Sequence, residues 1–139
     1  MSVEPPHPGR LVHVERMRMR WGDMDALGHM NNTIYFRYFE QARISWFDAI
    51  GADYKTLPEG PILGSINCRF VIPAVYPCEL EVTLVAGQPR RSAFPLYSEL
   101  RDATAAEKVY ARCEAMMVWI DLADGKSRPL PEWMRSQLA

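Results

Sequence analysis

Cysteine is scarce in this chain. Cys68, Cys78 and Cys113 are an odd set among 139 residues, with no C-x-x-C spacing. That excludes a disulfide scaffold and argues against a zinc site. Each thiol falls in an apolar, strand-like segment, where a small buried side chain is expected, and a reducing cytoplasm is the expected location. An excess of charge of one sign is also missing. Sixteen Lys and Arg against seventeen Asp and Glu leave a net charge of −1, so no footprint for nucleic acid or a membrane surface is present. No apolar run approaches the roughly 20 residues that a membrane helix needs. The opening Met-Ser-Val-Glu-Pro-Pro-His-Pro carries no secretory core, so export is not expected. A serine-hydrolase elbow G-x-S-x-G and a phosphate loop G-x-x-x-x-G-K-[ST] are both absent.

What is present suits one globular unit: 48% apolar and 24% charged residues, over a length that makes one core rather than two. The expectation is a single domain, 1–139, with a loose lead-in over 1–12. From Val14 to Trp21 the chain alternates, with Arg16, Arg18 and Arg20 on one side and Met17, Met19 and Trp21 on the other. This predicts a half-buried strand with a solvated arginine face. After a loop of small and acidic residues, Asn31 or Asn32 can cap a helix over about 31–50. There Ile34, Tyr35, Tyr38, Phe39, Ala42 and Trp46 recur at three- and four-residue steps, Glu40 and Arg43 stand one turn apart, and Gly51 supplies the stop. Strands are then predicted at about Ile62–Ile72, Glu79–Ala86, Ser92–Arg101 and Lys108–Leu122, separated by proline- and glycine-rich turns. Pro95 within the third of these implies an edge or a bulge. Pro129 and Pro131 should interrupt regular structure in the tail. Strand, long apolar helix, then four strands predicts an α+β fold with one antiparallel sheet against one helix. The exposed edges of such a sheet favour self-association.

Three ionisable groups, Asp23, Asp25 and His29, fall just ahead of the helix start. Free N–H groups and the dipole at such a terminus favour an anion or the developing charge on a carbonyl oxygen. A carboxylate beside them can attack a carbonyl or activate water. The competing role is structural: both aspartates can form Asx-turns while His29 packs near the helix. A metal site from this loop would have an incomplete ligand set, and an EF-hand fails because Leu27 and Ile34 stand where oxygen ligands are needed. No metal and no cofactor are expected.

Residues 21–43, Trp-Gly-Asp-Met-Asp-Ala-Leu-Gly-His-Met-Asn-Asn-Thr-Ile-Tyr-Phe-Arg-Tyr-Phe-Glu-Gln-Ala-Arg, resemble hotdog-fold thioesterases of the 4-hydroxybenzoyl-CoA thioesterase type. The pattern is an acidic pair, Gly-His-x-Asn-Asn, an aromatic helix and Glu-x-Ala-Arg, and the likeness extends more weakly over about 14–133. It implies a curved antiparallel sheet wrapped around one long central helix. It also implies a homodimer or homotetramer with active sites at the subunit interface. Asp25 takes the place of the catalytic acid, as nucleophile or as general base for water, with His29 as its candidate companion. Helix-start N–H groups around Asn31 and Asn32 would polarise the carbonyl, and these asparagines with Tyr35 would contact substrate. Arg90, Arg91 and Ser92 fall where the family holds the CoA phosphates, and arginine forks suit that task.

The expected function is therefore hydrolysis of an acyl-CoA thioester to a free acid and CoA. An acyl-carrier-protein thioesterase and a non-catalytic acyl-CoA-binding hotdog module are the alternatives. The plant-type carrier-protein enzymes carry an asparagine two positions after the acid, where this chain has Leu27. Hotdog hydratases carry Asp-x-Asn-Pro-x-His, and the Asn-Pro is missing here.

Overall fold

The structure, a computed structural model, describes residues 9–52 and 57–139. Most of the expected lead-in, and part of the link after the helix, lie outside the described residues. Strand β1 (Arg10–Arg18) leads through a 3-10 turn at Trp21–Asp23 to helix α1 (Asn32–Ala49). Strands β2 (Glu59–Phe70), β3 (Glu79–Ala86), β4 (Ala93–Asp102) and β5 (Ala105–Asp121) follow, then a short helix α2 (Glu132–Leu138). The five strands pair antiparallel in the order β1-β3-β4-β5-β2. This is the expected α+β hotdog sheet, with β1 and β2 as its edges.

Alternation assigns the two faces of the sheet. The β5 row Ala111, Cys113, Ala115, Met117 and Trp119 is buried, as is the β3 row Leu80, Val82 and Leu84. Helix α1 supplies Tyr35, Phe39, Ala42 and Trp46 to the same core, and Trp46 meets Phe94 edge-on with ring centroids 6.0 Å apart. The opposite face carries charge. Glu81 sits between Arg101 at 2.7 Å and Arg16 at 3.2 Å, and Glu99 pairs with Arg112 at 2.7 Å. The arginine stripe of β1 is thus a solvated face with cross-strand ion pairs. Arg43 is buried and Glu40, one turn away, is exposed.

Four local expectations are corrected. Strand β1 begins at Arg10, so three residues of the predicted lead-in belong to it, and it ends at Arg18. Trp21 therefore leaves the inward row to start the 3-10 turn, and it stands 72% exposed. Pro95 lies in β4, between β3 and β5, without a register shift beside it. Its carbonyl accepts the Gly87 N–H at 2.9 Å just past the last β3 pair, Ala86↔Leu96, so its missing donor breaks no ladder bond between β3 and β4. Pro131 initiates α2 rather than interrupting structure. Leu130, Met134 and Leu138 recur every fourth residue and are all buried, which docks that helix by its apolar stripe.

Helix α1 packs chiefly on β1, β3 and β4 and reaches β2 through Tyr35 and Phe36 against Phe70, while Leu63 and Phe70 of that strand stay 40% and 41% exposed.

Candidate active site

The loop between β1 and α1 is built by its own polar groups. Asp23 and Asp25 carry different duties. The Asp23 carboxylate accepts the Arg20 backbone N–H at 3.0 Å and the Tyr38 phenol, and the Asp23 carbonyl accepts the Asn31 N–H at 3.0 Å. Burial, then the hydrogen bond to Asp23, pushes the Tyr38 phenol up to about 12, against a smaller opposing effect of the Arg20 N–H. Asp23 is thereby spent on holding the loop to the helix.

Asp25 closes a turn of its own. Its carbonyl accepts the Gly28 N–H at 3.0 Å, and its N–H reaches the His29 carbonyl at 3.1 Å. Gly28 sits at φ +81° with open space where a Cβ would be, so backbone conformation rather than crowding requires glycine there. The Asp25 carboxylate takes one bond on each oxygen: the Leu27 N–H on Oδ1 at 2.9 Å, an Asx-turn, and the Asn31 side-chain amide on Oδ2 at 3.2 Å. The turn-forming role foreseen for Asp25 is therefore present. Both donors are neutral, and each oxygen keeps lone-pair capacity beyond the bond it accepts.

Asn31 links this carboxylate to the helix. Its side-chain oxygen caps α1, accepting the Thr33 N–H at 2.9 Å and the Thr33 hydroxyl at 2.6 Å, while its amide nitrogen holds Asp25. Of the first helical donors, the Asn31 N–H is spent on Asp23 and the Thr33 N–H on the cap. Among the described residues, the Asn32 N–H is left without an acceptor. Asn32 and His29 line a cleft of about 150 Å³ with Met30, Tyr35 and Phe70–Pro73. Tyr35 is buried in its wall. Its hydroxyl accepts the Ala74 N–H at 3.1 Å, its ring meets Phe70 edge-on at 5.1 Å, and burial raises its phenol above the usual value despite that N–H.

Asp25, His29, Asn31, Asn32 and Tyr35 thus gather at one end of the fold. Arg90, Arg91 and Ser92 do not join them. They form the turn between β3 and β4, beside the Arg10 end of β1, where Arg10 pairs with Ala86. Asp25 follows the other end of β1, so the two sets are separated by most of a strand, about 25 Å at the usual rise of about 3.3 Å per residue. The turn itself is firm. Arg135 of α2 donates to the carbonyls of Arg90 and Arg91 at 2.9 and 3.2 Å, and the Leu130 N–H reaches the Arg91 carbonyl at 2.8 Å. Both guanidinium groups stand exposed above it, unpaired among the described residues.

Sequence reasoning missed the segment Phe70–Ala74, which walls the cleft and whose Ala74 carbonyl accepts the Met30 N–H at 2.8 Å. Its signal was the apolar run Phe-Val-Ile-Pro-Ala-Val past the end of a strand. It also missed the Asn31–Asp25 bond, which no spacing rule would separate from simple capping.

Comparison with known proteins agrees with this architecture. The sequence profile of the thioesterase-like superfamily matches residues 19–138. The PA2801 protein of Pseudomonas aeruginosa is 35% identical and superposes with a TM-score of 0.88, over 94% of this chain and all of that one. A 1,4-dihydroxy-2-naphthoyl-CoA thioesterase from Synechocystis has the same fold at 21% identity and a TM-score of 0.81, over 90% and 93% of the two chains. The YsmA protein of Bacillus subtilis is 30% identical over 56 residues, 40% of this chain and 38% of that protein's length. By sequence profile and by fold, the chain belongs to the thioesterase-like superfamily, the hotdog-fold thioester hydrolases.

Proposed function

We propose that the protein hydrolyses acyl-CoA thioesters, with Asp25 as the acid that attacks the carbonyl or draws a proton from the attacking water. One observation carries this reading: the Asp25 carboxylate is anchored to Asn31 at the start of α1, one residue before an N–H that has no acceptor among the described residues. A carbonyl oxygen bound at Asn32 N–H would place the reacting carbon beside that carboxylate, and the helix dipole would favour the oxyanion. The thioester asks little more, because its carbonyl is electrophilic and thiolate leaves readily. His29 borders the same cleft and is the candidate to orient water.

The CoA end of the substrate argues for a homodimer. Residues Ile62, Leu63, Phe70, Val71 and Ile72 are all exposed on and just past edge strand β2, an apolar edge that a protein normally covers. Antiparallel pairing of β2 with a second β2 would set the Ile62 end of one beside the Phe70 end of the other. The Arg90–Ser92 turn lies at the Ile62 end, since Ala93 and Ile62 both pair with Val118. A two-fold partner would therefore bring its own turn to the Asp25 end of this protomer. Each site would then combine Asp25 of one chain with the arginines of the other, matched to the CoA phosphates.

The test is release of free thiol from a panel of acyl-CoAs by native protein, Asp25→Asn and Asp23→Asn. Loss of a positioned acid typically costs about 10² to 10⁴ in rate, so Asp25→Asn should fall by at least the lower factor with the fold intact. Near-normal turnover in Asp25→Asn would end the assignment. Asp23→Asn should lose stability more than chemistry.

A further inference from the structure

Outside this site, two of the three cysteines meet. Cys68 of β2 and Cys113 of β5 are direct cross-strand partners. Directly opposed residues share a face of the sheet, and Cys113 belongs to the buried inner row. Cys113 is buried and Cys68 half-buried. The neighbouring Cys113 holds the Cys68 thiol below its ordinary value, while Cys68 and burial raise Cys113. One sulfur is thus the more reachable and the more acidic, and the other waits behind it.

The spacing suits a bond between them. Opposed residues of an antiparallel pair have Cα atoms about 4.5 or 5.5 Å apart, both inside the span of about 4.4–6.8 Å that a disulfide bridges. Strand β2 is hydrogen-bonded to β5 alone within the sheet, so closing the two strands on each other breaks no other ladder of the protomer.

We propose that Cys68 and Cys113 are an oxidisable dithiol that hydrogen peroxide closes into an intrachain β2–β5 disulfide. The Cys68 sulfur attacks one peroxide oxygen, the O–O bond breaks, and water leaves with a sulfenic acid formed. The Cys113 sulfur then attacks Cys68, the S–O bond breaks, and its proton departs in a second water. Two thiols give up two electrons and two protons, and one peroxide becomes two waters. The bridge would tether β2 two residues before Phe70, which packs on Tyr35 in the cleft wall. Cys78 is the internal control, because its sulfur contacts the Tyr110 hydroxyl at 3.2 Å instead.

The experiment treats native protein with hydrogen peroxide, removes the oxidant with catalase, unfolds and alkylates the protein, and maps it by mass spectrometry without reduction. The expected product is two hydrogens lighter, carries a linked Cys68–Cys113 peptide, keeps only Cys78 open to alkylation and reverts with dithiothreitol. In Cys113→Ala, dimedone should trap a sulfenic acid on Cys68; if that variant does not fold, the native protein alone decides. Accumulation of Cys68 sulfinic acid beside a free Cys113 would overturn the proposal. So would a Cys68–Cys68 link between chains, or survival of all three thiols. None of these readouts depends on thioester hydrolysis.

Discussion

Asn31 has two duties that can be cut separately. Its oxygen caps α1 and its amide nitrogen holds Asp25. Asn31→Ala removes both. Loss of a helix cap costs about 1 kcal/mol, which for a chain of this size lowers Tm by roughly 3–5 °C. Asn31→Asp keeps a side-chain acceptor for the Thr33 N–H and adds negative charge where the helix dipole favours it, against repulsion from the Asp25 carboxylate that it then faces, so its Tm should fall less than that of Asn31→Ala. What Asn31→Asp removes is the donor at 3.2 Å from Asp25 Oδ2. A hydrogen bond to a charged group contributes about 1.5–3 kcal/mol, so misplacing the carboxylate should slow kcat by roughly 10- to 100-fold. The KM should change far less, because the cleft walls are untouched. Calorimetry on the two variants, with steady-state hydrolysis of the best acyl-CoA, separates the two duties. Native kcat in Asn31→Asp would show that Asn31 only caps. A large fall in its Tm would show that the cap depends on the amide.

Three further outcomes are expected. Arg90→Ala with Arg91→Ala should raise KM for acyl-CoA by about tenfold or more, given two lost charge-assisted contacts, while leaving acyl-pantetheine unchanged; equal effects on both would remove these arginines from the phosphate site. Leu63→Asp, on the apolar edge and away from the cleft, should shift the proposed dimer to monomer by size-exclusion with light scattering, and a dimer that persists would place the interface elsewhere. Tyr38, held up to about 12 in the fold against an ordinary 10.0, adds stability that is fully present below pH 10 and is lost as pH rises toward 12. Denaturant titrations across that window should show a shallower decline in Tyr38→Phe, and an unchanged slope would mean that Tyr38 does not hold its proton.

Local elements were legible because each rests on a local rule. The α1 stripe and its cap at Asn31, the left-handed stop at Gly51 (φ +82°) and the β3 limits follow from periodicity and turn chemistry. So does the clustering of Asp25, His29, Asn31 and Asn32, which chain proximity alone imposes. The division of labour between the two aspartates was not legible. It depends on the Tyr38 phenol, fifteen residues on, reaching Asp23 rather than Asp25. The α2 helix was missed because two prolines dominated the reading, although proline at a helix start removes a donor that has no helical partner anyway.

Distance between remote segments is a different kind of information. A period of two tells which face a strand residue takes, but not which end of the sheet its neighbouring turn occupies. That follows from strand order. With β3 between β1 and β4, the Arg90–Ser92 turn must lie beside the start of β1, while the acidic loop must lie beside its end. No side-chain motion spans a strand of that length. Under the proposed function, Asp25 and the arginines serve one substrate across a symmetry axis, and antiparallel pairing of two β2 edges would reverse the sheet end for end. Hydrolysis of acyl-CoA at low substrate should therefore be rescued by mixing the two impaired chains. Asp25→Asn and the Arg90→Ala, Arg91→Ala variant, allowed to exchange subunits, form heterodimers in which one of the two sites carries both an intact acid and intact arginines. About half of the chains are heterodimeric after random exchange of equal amounts, so turnover at low acyl-CoA should recover to roughly a quarter of native. Absence of any recovery after proven exchange would mean that each chain supplies its own phosphate site, and the β2 two-fold would lose its functional argument.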